Sequence, residues 1–348
     1  MDIFENKNRT ELSELGEFGL IDHLTKNIKI HNEETLKGVG DDAAVIENKA
    51  DEVTLVTTDM LVEGVHFDLT YMPLKHLGYK AVVVNLSDIC AMNGKPKQVF
   101  VSMALSNRFS LEAVEELYTG MLLACQEYKV DLAGGDTTSS TSGLVLSITA
   151  TGTAKKGSQV YRDGAQPNDL VCVTGDLGAA YLGLQILERE KQIYIENPGV
   201  QPDLEGFDYI LERQLKPEAR VDIVDLLAEM GVKPTSMIDV SDGLSSELLH
   251  ICKQSGVGCI IYEDKLPIDP TAYDTARELN LDPTTCMLNG GEDYELLFTV
   301  SIDDFDKIKH NPSITIIGHI TAKDEGANLV PQNGPMIPLQ AQGWNSLT

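Results

Sequence analysis

The chain has 348 residues, 42% of them apolar, and carries 54 acidic against 27 basic side chains for a formal net charge of −27. That length exceeds what one hydrophobic core usually covers, so two domains are expected, and the charge argues against nucleic acid and anionic membranes as partners because neither supplies counterions to an acidic surface. No apolar run approaches the roughly 20 residues that span a bilayer, and the acidic start Met1-Asp2-Ile3-Phe4-Glu5 lacks the regions of a signal peptide, so a cytoplasmic protein is expected.

In chain order, Val53–Thr57, Val99–Leu105 and Leu144–Ala150 read as strands, and the stretches from about Pro73 to Met92 and from Ser110 to Tyr128 read as helices. Pro73 fits a first helical turn and Ser110 an N-cap. A short strand at Val130–Ala133 precedes Gly134-Gly135-Asp136. Polar, turn-rich sequence near residue 155 marks a boundary between a first domain, 1–153, and a second, 154–348. The second opens with strand Leu170–Thr174 and a helix from about Leu177 to Glu190, followed by an exposed, irregular stretch over 191–208 with two prolines and two glycines. A helix from Pro217 to Met230, a strand into Ile238, a helix from Leu244 to Gln254 and strands at Gly258–Tyr262, Leu296–Val300 and Ile314–Ile317 complete the pattern. The fold class is α/β (α+β): two domains, each a sheet with helices packed on it. The six cysteines sit in apolar or helical patterns without CxxC pairs and read as reduced thiols.

Carboxylates recur beside glycine, hydroxyl or amide residues: Gly40-Asp41-Asp42, Thr57-Thr58-Asp59, Asn85-Leu86-Ser87-Asp88, Gly134-Gly135-Asp136-Thr137-Thr138, Asp239-Val240-Ser241-Asp242-Gly243 and Gly290-Gly291-Glu292-Asp293. Such oxygen-rich surroundings suit a hard cation such as Mg²⁺, which sits on a few carboxylates while phosphates fill its other positions. Each motif also has a plainer reading. Asp42 can be a solvated turn residue, Thr57-Thr58-Asp59 is ambiguous alone, the Gly-Gly-Asp run can be a β-turn, and Asp239 and Asp242 can be helix caps. Asp88 is the sharpest, because it interrupts an apolar helix with Asn85 three residues earlier on the same face, and a buried carboxylate needs a partner or a metal. Two carboxylates about 4 Å apart repel by roughly 4 kcal/mol at an effective dielectric of 20, so a converging set would need cations or protons. His66 can contact substrate or sit in a loop. Arg162 can reach a phosphate or simply be solvated, Lys80 has no assigned role, and Trp344 can dock as a core anchor or stack on an aromatic ligand.

Taken together, Gly38–Ala44, Thr57–Phe67, Asn85–Asp88, Gly134–Thr138, Ile238–Leu244 and Gly290–Leu296 resemble the thiamine-monophosphate kinase family, in that family's order. The superfamily also holds aminoimidazole ribonucleotide synthetase, selenophosphate synthetase and a hydrogenase maturation protein. The segment around His66 and Gly-Gly-Glu-Asp-Tyr-Glu-Leu select the thiamine-phosphate branch. The resemblance implies ATP-dependent phosphorylation of thiamine phosphate to thiamine diphosphate by direct in-line transfer, with several Mg²⁺ ions, ATP as co-substrate and K⁺ left open. It implies Mg²⁺ positions at Asp42, Thr57, Thr58, Asp59, Asp88, Asp136, Asp239 and Asp242. It implies nucleotide contacts at Gly135, Asp136, Arg162 and Ser241, with Tyr118 in an uncertain register, and thiamine-phosphate contacts at His66, Glu292 and Trp344. It further implies a homodimer formed through the first domain's sheet, the second domain closing over the nucleotide. No general base is assigned, since a phosphate nucleophile is already deprotonated near neutral pH.

P-loop and protein-kinase motifs are missing from the sequence, and selenophosphate synthetase would place a reactive Cys near its N-terminus, whereas the first cysteine here is Cys90. Aminoimidazole ribonucleotide synthetase stays the nearest enzymatic alternative. A non-catalytic nucleotide or Mg²⁺ sensor is the alternative of a different class.

Overall fold

The computed structural model describes residues 35–37, 41, 44–47, 51–106 and 108–342. Asp42 and Trp344 lie outside them. Among the described residues, the first part of the chain runs β1 (Thr35–Lys37), β2 (Ala44–Glu47), β3 (Glu52–Val62), α1 (Leu74–Ala91), β4 (Lys95–Leu105), α2 (Leu111–Tyr128), β5 (Asp131–Ser139) and β6 (Leu144–Lys155). These strands form a six-stranded sheet in the order β1-β2-β3-β6-β4-β5. Neighbours are antiparallel except β4 and β5, which α2 joins as a parallel crossover.

The second part runs β7 (Leu170–Thr174), α3 (Ala179–Glu196), α4 (Asp208–Leu215), α5 (Val221–Glu229), β8 (Ser236–Asp239), α6 (Leu244–Ser255), β9 (Gly258–Tyr262), α7 (Pro270–Glu278), α8 (Pro283–Asn289), β10 (Leu296–Val300), α9 (Phe305–Ile308), β11 (Ile314–Thr321), β12 (Ala327–Val330) and β13 (Ile337–Pro338). A seven-stranded sheet in the order β13-β12-β9-β11-β7-β10-β8 carries it. Its central strands are buried on both faces, and side chains alternate between two apolar clusters: Cys172, Met237 and Phe298 face one, Val171, Ile238 and Leu297 the other.

The first of those clusters also contains Leu55, Ile89 and Ile148, so one core runs from the first sheet into the second. At its centre lies α1, buried nearly all round, as its unbroken apolar run requires. It crosses α2 at a close approach: a Cβ on Gly78 would fall 2.0 Å from the Leu117 carbonyl oxygen, and one on Gly120 would fall 1.8 Å from that of Lys75.

Several elements extend past their sequence-based limits. The strand expected to end at Thr57 continues to Val62, because β6 pairs with it over its whole length. The strand expected at Val130–Ala133 runs on to Ser139, so Gly134-Gly135-Asp136 is ladder rather than turn. The close pairing with β4 is why glycine stands there: a Cβ on Gly135 would meet the Val101 carbonyl oxygen at 1.9 Å. The helix expected to stop at Glu190 continues to Glu196, which shortens the irregular stretch, and the helix expected from Pro217 begins at Val221. Among the described residues no helix is long and apolar enough to cross a membrane.

Candidate active site

A cleft of about 860 Å³ opens where the two halves meet. Segments distant in sequence line it, among them the end of β3 with its following loop (Asp59, His66), α1 (Lys80, Asp88), α3 (Glu188, Lys191), α4 (Gln214), the β8–α6 connection (Asp239, Ser241, Asp242) and α8 with the α8–β10 loop (Gly290, Glu292). Strand alternation decides what β3 contributes. Thr57 and Asp59 point toward α1, while Thr58 points to the opposite face, where it donates to the Ile148 carbonyl at 3.1 Å.

Hydrogen bonds fix the polar face of α1 against both sheets. Thr57 Oγ1 donates to Asp88 Oδ2 at 2.5 Å, the Asp59 N–H donates to Asn85 Oδ1 at 3.0 Å, and Ser87 Oγ donates to Asp239 Oδ2 at 2.6 Å. Asn85 and Ser87 are fully buried and Asp239 is 2% exposed, so these contacts form in low dielectric, where they orient strongly. One phenol reports the convergence of the carboxylates. Tyr294 has its ionisation pushed well up by burial, and further by the negative charges of Glu292, Asp59, Asp239 and Asp242, which come from both halves.

The Gly-Gly-Glu-Asp-Tyr-Glu-Leu segment divides its labour. Gly291 has φ +72 and passes close to the Ser241 backbone, a place a side chain would not fit. Glu292 and Tyr294 are non-glycine residues at φ +58 and +51, held by N–H bonds to the Ser241 and Val240 carbonyls at 2.7 and 2.9 Å. Such backbone persists where its surroundings over-determine it. Glu292 faces the cleft, its carboxylate 2.9 Å from Lys80 Nζ and 2.8 Å from Gln214 Nε2. Asp293 and Glu295 turn away and hold structure. Asp293 accepts from the Gly178 N–H at 2.9 Å, and burial pushes its carboxyl up to about 7 in spite of Arg213. Glu295 accepts from Arg213 at 3.0 Å, from Thr174 at 2.5 Å and from Arg220.

His66 lines the cleft and accepts the Val62 N–H on Nδ1 at 3.0 Å, which leaves the proton of the neutral ring on Nε2. At the rim, Lys191 pairs with Asp68 at 2.8 Å and Glu188 at 3.1 Å. Thus both lysines of the lining are engaged by carboxylates, and the cleft remains acidic.

The structure gathers Asp59, His66, Asp88, Asp239, Ser241, Asp242 and Glu292 around one cavity, with Thr57 directly behind Asp88. It does not bring Thr58 or Asp136 there: Asp136 pairs with Ser102 on the exposed face of the first sheet, the face that also takes Thr58. Tyr118 packs partly buried against the core from α2, and Gly135 sits in the edge strand. Arg162 is not merely solvated. Its N–H donates to Asp41 Oδ2 at 3.1 Å and its Nε lies 3.6 Å from Oδ1, linking the boundary segment to the Gly-Asp-Asp motif. Sequence reasoning missed Gln214 and the Asp68–Lys191 pair and left Lys80 open; a lysine inside an apolar helix was the one signal available.

Facing the cleft are the carboxylates of Asp59, Asp88, Asp239, Asp242 and Glu292 and the Ser241 hydroxyl, oxygen donors of the kind that suit Mg²⁺, beside the His66 ring and the amides of Gln214 and Asn289. Among the described residues, no three His, Cys, Asp or Glu side chains gather closely enough to hold a metal by themselves.

Residues 40–154 match the family model of the AIR synthase related protein N-terminal domain, and residues 166–329 that of the C-terminal domain. The thiamine-monophosphate kinase of Bacillus subtilis (strain 168) is 36% identical over 337 residues, 95% of this chain and 99% of that protein. The thiamine-monophosphate kinase of Aquifex aeolicus (strain VF5) is 34% identical over 336 residues, 96% of this chain and 98% of that protein. The solved structure "AaThiL complexed with AMPPCP and TMP" superimposes with a TM-score of 0.81 at 31% identity, covering 97% of this chain and 99% of that one.

Proposed function

The chain belongs to the thiamine-monophosphate kinase family of AIR synthase related proteins, and from that premise we infer that it phosphorylates thiamine phosphate with ATP, yielding thiamine diphosphate and ADP. The observation that carries this reading is the meeting, in one cleft, of the His66 and Glu292 segments with the acidic residues of both halves. A terminal phosphate oxygen of thiamine phosphate attacks the γ-phosphorus of ATP, the bond from that phosphorus to the β,γ-bridging oxygen breaks, and its electron pair leaves with ADP. Both reactants are anionic and the nucleophile carries no proton to remove, so the protein's task is alignment and charge neutralisation. Asp59, Asp88, Asp239 and Asp242 are the cleft residues that would hold Mg²⁺, and Asp42 belongs with them by resemblance. When bound, Mg²⁺ supplies the positive charge that the paired lysines of the cleft do not.

We place the nucleotide against the β8–α6 connection, whose Ser241 faces the cleft ahead of a helix N-terminus. His66 and Glu292 take the thiamine end. The exposed face of the first sheet carries Met60 and Phe100, 58% and 40% exposed, and a second copy of the chain is the proposed cover. The six cysteines are free and buried, which suits the cytoplasm.

The test is ADP formation with Mg-ATP, with and without thiamine phosphate, beside Asp88→Asn. ADP that appears only with thiamine phosphate, matches thiamine diphosphate and falls roughly 100-fold or more in the variant is the expected result. Intact ATP binding without turnover would overturn the reading.

A further inference from the structure

We propose that Lys80 and Gln214 are positioning residues for substrate recognition: they clamp the Glu292 carboxylate from two sides so that its remaining lone pairs face the cleft and accept the amino or cationic end of thiamine phosphate. This rests on the kinase reading above.

The clamp uses one donor per carboxylate oxygen. Lys80 Nζ lies 2.9 Å from Oε1 and Gln214 Nε2 donates to Oε2 at 2.8 Å. A carboxylate accepts about four hydrogen bonds, so capacity remains on the cleft side, where the Glu292 side chain is 32% exposed. The amide orientation is settled by chemistry, since only Nε2 can donate to a carboxylate. Holding it turns Gln214 Oε1 away from the carboxylate, buried and without a hydrogen-bond partner among the described residues.

The other end of the side chain is equally constrained. Glu292 sits at φ +58 with its N–H on the Ser241 carbonyl, and Gly291 precedes it in left-handed backbone. Lys80 is 2% exposed, and a buried ion pair is a poor source of stability compared with apolar packing of the same volume. Its value here is direction. Lys80 Nζ also donates to the Gln214 backbone carbonyl at 3.0 Å, so α1 of the first half and α4 of the second meet at the group they orient.

That last contact is the rival explanation, because Lys80 could serve only to tie the halves together. Lys80→Met, Gln214→Met and Glu292→Gln, singly and paired, separate the two roles. Gln214→Met keeps the backbone carbonyl and the Lys80 pair, and so decides the matter if Lys80→Met does not fold. Each single substitution is expected to raise KM for thiamine phosphate roughly tenfold or more with a smaller change in kcat and KM for ATP within about twofold. In the Glu292→Gln background the other two substitutions are expected to add little. Additive effects, or a lowered melting temperature with KM for thiamine phosphate unchanged, would overturn the inference alone. A wild-type chain that neither binds nor phosphorylates thiamine phosphate would overturn the kinase reading and the inference with it.

Discussion

Ser87, inside α1, donates a 2.6 Å hydrogen bond to Asp239, the last residue of β8, and both are buried. A carboxylate of the second half is thus oriented by a hydroxyl of the first. Ser87→Ala leaves that buried carboxylate short of a donor, a loss of about 1–3 kcal/mol. Urea unfolding should show the midpoint falling by that loss divided by the slope, with the slope itself unchanged.

Thr57 and Thr58 are adjacent but face opposite sides of the sheet. Hydrogen bonds to charged groups are worth about 1.5–3 kcal/mol, so Thr57→Val, which removes the Thr57 hydroxyl from Asp88, should lower kcat/KM by roughly ten- to hundredfold. Thr58→Val should stay close to wild type. Steady-state kinetics of the two variants measure the difference.

The α1–α2 crossing has no room for a methyl group on Gly78 or Gly120, because the obstructing atoms are helix backbone. Alanine is the better helix former, yet overpacking of this kind costs about 1–3 kcal/mol. Gly78→Ala and Gly120→Ala should both lower stability, and the pair should be less than additive, since either one forces the helices apart.

Asp293 makes stability depend on pH with a definite sign. Its carboxyl is raised to about 7 by burial, from an ordinary 3.8. Between those values the native state keeps a proton that the unfolded state releases, so the contribution is complete below about 4, declines as pH rises and is spent above about 7. Asp293→Asn keeps an acceptor for the Gly178 N–H without that proton. Its stability relative to wild type should therefore be more favourable at pH 8 than at pH 5, as read from denaturant midpoints at the two pH values.

Glu295 is 3% exposed and joins Arg213, Arg220 and Thr174. Glu295→Ala takes from two largely buried guanidinium groups the carboxylate they share, leaving Arg220 on Asp222 and Arg213 on the Asp176 and Asp293 carbonyls, a loss toward the lower end of about 3–5 kcal/mol. Equilibrium unfolding of the variant beside wild type would show the loss.

The order of strands and helices was legible because hydrophobic period and end signals agree. Pro73 sits just before α1, and Ser110 caps α2 through the Ala113 N–H at 3.3 Å. Strand ends were not legible where a partner strand extends the ladder through polar or glycine residues, as β6 does for β3 and β4 for β5. In the site, residue type pointed to the acidic motifs, but two facts depend on tertiary placement. Alternation sends Thr58 and Asp136 to the far face, and Gln214 reaches Glu292 from 78 positions away. No local pattern marks Gln214, because its role exists only once α4 lies beside α1.

The apolar cluster that passes from Leu55 through Ile89 to Phe298 has a consequence for how the cleft admits its ligands. Two sheets that share one core melt as one cooperative unit, and a calorimeter should record a single transition with equal calorimetric and van't Hoff enthalpies. A wide hinge opening would have to expose that shared core to water at each turnover. The Lys191–Asp68 contact at the rim and the exposed run after Glu196 lie outside that core, so a change in either would leave the two halves joined.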